Sequence, residues 1–238
     1  MTLIWISCMR YLNQIPVVAL ILLLSILFFA YSPVDLWIQD FLYDSSRHQW
    51  LLDRNLQPYR LIFYDGIKKL LILFALSLLL ILLFGRRYEI IRRYQKGILI
   101  MVLSALIIPQ TVSLLKKQTN MPCPKHIEHY GGSYPETKVW ERYPAETKRA
   151  STQCWPAGHA SGGFTLLSLY FLFRKPKNRK RALYFALGMG WIMGGYKMLI
   201  GDHFFSHTWI TMVLSWLLVL LIEKGVRTLS REDRSAPL

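Results

Sequence analysis

The sequence predicts an all-α fold, a polytopic membrane bundle of six transmembrane helices forming one domain over residues 1–238. Three observations predict it. Apolar residues make up 53% of the chain, more than a water-soluble domain of this size needs. They are gathered into six blocks. Dense basic linkers alternate with linkers that are nearly neutral, the pattern that orients helices across a bilayer.

The first block, Ile15–Tyr31, is uncharged. Arg10 ahead of it gives the look of a signal peptide, but Phe29-Ala30-Tyr31-Ser32-Pro33 offers no small-x-small cleavage site, so the block reads as a retained helix. The second, Leu70–Phe84, is short of the ~20 residues an isolated span wants. Lys68 and Lys69 extend it by snorkelling. Gly97–Leu115 is the third block. The fourth, Ala157–Phe173, holds one His and no full charge, and Ala182–Tyr196 and Trp209–Ile222 are the fifth and sixth.

The net charge of +15 invites a nucleic-acid reading, but its distribution argues against one. Linker Arg86–Lys96 carries net +4 and linker Arg174–Arg181 net +6, whereas Ser32–Lys69 is neutral. Short basic linkers mark the cytoplasmic side. Both termini are then cytoplasmic, and the outer loop 116–156 is extracytoplasmic. Cys8 falls inside as a free thiol. Cys123 and Cys154 share the outer loop, where an oxidising compartment favours a disulfide over two separate thiols.

Three polar clusters meet helix ends on that outer side: Lys116–Pro124, Cys154–Gly162 and Lys197–His207. Ionisable residues at membrane level are costly and mark function. In the second cluster Pro156 suits a first helical turn, and the N–H groups of Ala157, Gly158 and His159 would face an anion such as phosphate. Lys116 and Lys197 would supply fixed positive charge. His203 would attack phosphorus and His159 would protonate the leaving alkoxide, with no metal or cofactor required. A rival reading takes His203 and His207, four apart, with His159 as zinc ligands.

The three clusters resemble, in order, the signature motifs of the type 2 phosphatidic acid phosphatase family. That family's first motif is Lys, six residues, then Arg-Pro; here Lys116 is followed after six residues by Cys123-Pro124. Its second, Pro-Ser-Gly-His, matches Pro156-Ala157-Gly158-His159. Its third, Ser-Arg, five residues, His, three residues, Asp, matches Tyr196-Lys197 with His203 and His207 at those spacings. The resemblance runs from Lys116 to His207 and implies the six-helix topology of the family's membrane branch. It also implies phosphate binding by Lys116 and Lys197, general-acid catalysis by His159 and nucleophilic attack by His203. Cys123, Ala157, Lys197 and His207 stand where the family carries Arg, Ser, Arg and Asp. A neutral His207 can still accept a hydrogen bond from His203, with less charge stabilisation than a carboxylate.

The expectation is a metal-independent phosphoric ester hydrolase of the bacterial-type inner membrane. It would release phosphate from a phosphomonoester or diphosphate lipid at the outer face through a phosphohistidine. Its partners would be the membrane and a phosphorylated lipid, with no nucleic acid. Gly-His-Ala-Ser-Gly-Gly-Phe and His-Phe-Phe-Ser look most like members acting on lipid A or related lipid phosphates. The four departures keep a second expectation open, a degenerate site that binds a phosphorylated lipid or partner without turnover.

Overall fold

The computed structural model describes residues 14–141 and 152–235, so Cys8 and Arg10 lie outside the described residues. Helix α1 (Gln14–Tyr31) buries none of its side chains; Leu20, Leu23 and Leu24 are each 54% exposed, the surface that lipid chains would solvate. A short α2 (Val34–Asp40) leads to a hairpin of β1 (Tyr43–Asp44) and β2 (Gln49–Trp50), with Tyr43 opposite Trp50. A π-helical turn, Arg60–Gly66, runs into α3 (Ile67–Phe84), and α4 (Glu89–Gln118) follows. After the outer loop come α5 (Gly158–Phe164), a 3-10 turn (Thr165–Ser168), α6 (Leu169–Leu172), α7 (Pro176–Leu199) and α8 (Phe205–Ser235).

Among the described residues the regular structure is helical apart from that hairpin and an isolated bridge between Ile127 and Tyr134, but the expected six spans are not all long apolar helices. Four stretches among the described residues have the length and apolarity to cross a membrane: Gln14–Tyr31, Arg60–Arg87, Glu89–Gln118 and Phe205–Leu229. The fourth predicted block breaks into α5, the 3-10 turn and α6. Its hydroxyls explain the break: Ser161 Oγ donates to Gly158 O (2.7 Å), Thr165 Oγ1 to Gly162 O (2.6 Å) and Ser168 Oγ to Thr165 O (2.6 Å). Such back-bonding competes with the regular ladder and tightens it. Helix α7 is long enough, but Lys177, Arg179, Lys180 and Arg181 occupy its first turns and shorten its apolar part.

The core forms where α5, α7 and α8 meet α4, around Ile108, Ala160, Phe164, Leu167, Ala186 and Val219. Glycine brings the backbones together: a Cβ on Gly163 would lie 2.8 Å from Gly190 Cα. Small residues are the usual means of close helix approach where lipid, not water, surrounds the bundle.

Gly201 closes the end of α7. Its φ is +69° and a Cβ there would stand 2.3 Å from the Trp50 ring. Gly201 O accepts the Lys125 N–H (3.0 Å), and Leu52 N–H donates to Leu199 O (3.2 Å). Both the β-hairpin segment and the outer loop are therefore docked on this turn. Gly201→Ala should cost about 1–3 kcal/mol from the left-handed backbone alone, lowering Tm by about 2–4 °C per kcal/mol. Thermal unfolding in detergent measures this, and an unshifted Tm would show that the turn does not hold the two segments.

Candidate active site

The end of α4 and the start of α5 are tied together at several points. Thr119 Oγ1 donates to Trp155 O (2.8 Å), Thr152 Oγ1 to Asn120 O (3.1 Å) and Cys154 N–H to Met121 O (3.1 Å). Cys123 and Cys154 form the expected disulfide, their Cα atoms 5.2 Å apart. These links set Lys116, in the last turn of α4, against Gly158: a Cβ on Gly158 would lie 3.4 Å from Lys116 Nζ. The bare glycine lets the ammonium rest at the helix start.

Helix α5 begins at Gly158, with Ala157 as its N-cap. Ala157 was expected to present its N–H to an anion, and the structure corrects this. The residue is fully buried, and its N–H donates to Thr211 Oγ1 (2.8 Å) while facing His207 O (3.2 Å). Packing against α8 has claimed that donor. Gly158 and His159 lie beyond this contact and line a cavity.

The third cluster is built on the turn after α7. Asp202 and His203 both donate their N–H to Lys197 O, at 2.8 and 3.2 Å. Lys197, only 3% exposed, places Nζ 2.7 Å from Asp202 Oδ2. Lys125 Nζ donates to Asp202 Oδ1 at 2.6 Å, and Arg54 Nη1 lies 3.9 Å from the same oxygen. Burial alone would raise the Asp202 pKa; the charge of Lys197 and the lysine hydrogen bonds outweigh it, and the carboxyl sits below its usual range. Asp202 thus serves the cations, not the adjacent imidazole. Lys125 arrives two residues after Cys123, close to where the resemblance lacks an arginine.

His203 and His207 are buried side by side, Nδ1 to Nδ1 at 3.3 Å. One ring donates and the other accepts, and the tautomer decides which. Burial, and then the charges of His207, Lys116, Lys197 and His159, hold the His203 pKa well below its ordinary value. His203 is therefore neutral at pH 7, and the same four groups are near enough to act on it. The structure brings together the lysines and histidines that the sequence singled out. Among the described residues the group of three donors close enough to share a metal is Cys123, His126 and Cys154, whose two sulfurs are joined to each other; His159 does not form such a group with His203 and His207.

A cavity of about 460 Å³ lies beside this cluster between α3, α4 and α5. Lys68, Ser113, Lys116, Gly158 and His159 line one part of it, and Leu71, Ile72, Ala75, Ala105 and Met193 another. A cavity with cations, an imidazole and an apolar wall suits an amphiphile with an anionic head. Lys68 is a site residue that sequence reasoning assigned to snorkelling. Its neighbour Lys69 is equally basic, so composition did not separate the two; the helix phase of α3 does.

A family model described as the PAP2 superfamily matches residues 96–231, a stretch that contains all three clusters. No curated protein and no solved structure matches the chain.

Proposed function

Because this chain belongs to the PAP2 superfamily, whose members are phosphatases, we propose that it hydrolyses the phosphate ester of a membrane lipid at the extracytoplasmic face. What supports the reading is Lys116 Nζ set against Gly158 at the start of the helix that carries His159, together with the paired His203 and His207, on which the charges of Lys116, Lys197 and His159 act.

With its proton on Nδ1 and donated to His207, His203 keeps the Nε2 lone pair for attack on phosphorus. The Nε2–P bond forms as the P–O bond to the lipid alkoxide breaks. His159 gives a proton to that alkoxide. Bound phosphate supplies the negative charge that lets His159 hold its proton among the lysines. Lys116 and Lys197 stabilise the charge on the phosphoryl oxygens. His159, now neutral, takes a proton from water, whose oxygen attacks phosphorus, and His203 is released with inorganic phosphate. No step calls on a metal. The apolar part of the cavity takes the lipid chain. In this reading α7 and the α5–α6 unit also span the bilayer, extended at their ends by basic side chains.

A second reading rests on one observation: His207 occupies the position of the family's carboxylate and is wholly buried. It predicts binding of phosphorylated lipid without turnover. Purified protein given phosphatidic acid and other lipid phosphates in mixed micelles separates the two readings. Inorganic phosphate release, retained in chelator and inhibited by vanadate, is the expected result. Binding of these lipids with no release from any would remove the hydrolase reading.

A further inference from the structure

A second cavity, of about 370 Å³, lies on the other side of Lys197 and is lined by Arg54, Asn55, Arg60, Tyr196, Lys197 and Ile200. None of the family-like clusters includes Arg54, Asn55 or Arg60. These residues belong to the segment between the β-hairpin and α3, which the Leu52–Leu199 hydrogen bond and the Trp50–Gly201 contact hold over the end of α7. Three cations face the space, and Lys125 stands behind Asp202. Asp202 offsets part of this charge through Lys125, Lys197 and, at 3.9 Å, Arg54. Three cations, Lys125, Lys197 and Arg54, surround this one carboxylate and Arg60 lines the same cavity, so the cavity carries net positive charge. At about 30 Å³ per water it holds about a dozen waters, room for a hydrated phosphoryl group. Arg is the side chain best fitted to such a group, because its fork binds two oxygens at once.

Lys197 is the wall shared with the reactive cluster: its carbonyl accepts the His203 N–H, and its charge acts on His203. An anion in this cavity would therefore sit next to one at His203. We infer that Arg54, Asn55 and Arg60 form a second anion subsite, and that the preferred substrate carries two anionic phosphoryl groups on one headgroup. The scissile phosphate lies at His203 and the other on the arginines. Two headgroups have this chemistry: a lipid diphosphate, with the phosphates joined, and a phosphatidylglycerol phosphate, with glycerol between a phosphodiester and a terminal phosphate. The inference rests on the hydrolase reading above.

The test compares phosphate release from phosphatidic acid, dodecyl diphosphate and phosphatidylglycerol phosphate by native protein and by Arg54→Gln/Arg60→Gln. For at least one two-phosphate lipid, kcat/KM relative to phosphatidic acid is expected to fall about tenfold in the double variant. The lipid that loses most reports the spacing the subsite reads. Ratios that do not move for either lipid would overturn the inference. If the double variant does not fold, Arg60→Gln alone, at an exposed position, is read by the same ratio with a loss of about threefold expected, and an unmoved ratio again overturns it. Should native protein release phosphate from none of the three, the hydrolase reading fails separately. The subsite is then read by calorimetry with inorganic pyrophosphate: tenfold weaker binding in the variant supports it, and equal binding overturns it.

Discussion

His203→Ala is expected to abolish phosphate release, with kcat falling by at least about 10³-fold, as when a covalent nucleophile is removed from an enzyme whose binding groups stay in place. The structure makes the reason specific. His203 is buried beside His207, and burial together with nearby positive charge keeps its ring neutral at pH 7. A neutral ring with Nδ1 engaged leaves Nε2 as the attacking atom. No other described imidazole has this partner at this end of the bundle. Because alanine leaves a void in a buried site, His203→Gln, closer in volume, accompanies it and should be equally inactive. Native protein quenched during turnover of ³²P-labelled lipid should carry an acid-labile, base-stable label, and both variants none. The depressed pKa sets a sign as well. Activity needs the unprotonated ring, so the acid limb of kcat/KM should lie below the ordinary imidazole value of about 6.5. Full turnover by both variants would sink the phosphohistidine mechanism.

The second large effect belongs to His159. Replacement by alanine should slow release from an alkyl phosphate by about 10²–10⁴-fold, the usual contribution of a positioned proton donor. The role predicts more than a loss. An alkoxide needs a proton to leave and p-nitrophenolate does not, so in a single-turnover burst, before the water step in which His159 acts as base, the same variant should release p-nitrophenolate from p-nitrophenyl phosphate less than about tenfold more slowly than native protein. A purely structural role for His159, or one in binding alone, predicts equal losses on the two substrates. Equal losses would move His159 out of the proton-transfer step.

Much of the site was legible in the sequence because its parts sit at helix ends, where polar residues interrupt apolar runs. Lys116, His159, His203 and His207 were found by that contrast, and the Cys123–Cys154 pair by its shared loop. What escaped depended on contacts between distant segments. Asp202 looked like a neighbour of His203, but its carboxylate turns to Lys197 and Lys125, a choice set by the left-handed turn at Gly201. Arg54 belongs to a segment whose charges cancel in a sum, and it reaches the site only through the docking of that segment on α7. The open N–H expected at Ala157 was lost to Thr211, fifty-four positions away. The fourth apolar block read as one span because hydropathy does not register that Ser161, Thr165 and Ser168 bond back to their own backbone.

The links between Thr119–Cys123 and Thr152–Trp155 have a consequence for how the chain can vary. They close the outer loop at its neck, and Lys125 and Ile127 fix its first part. Beyond those anchors, the distance between Lys116 and His159 no longer depends on how many residues lie in between. Lengthening a closed loop costs little, about 0.6 kcal/mol per doubling. Lys138 and Trp140 still rest on Tyr31 of α1, so the natural port for added sequence lies between Glu141 and Thr152: an epitope or a whole foreign module grafted there would leave the reacting groups in register.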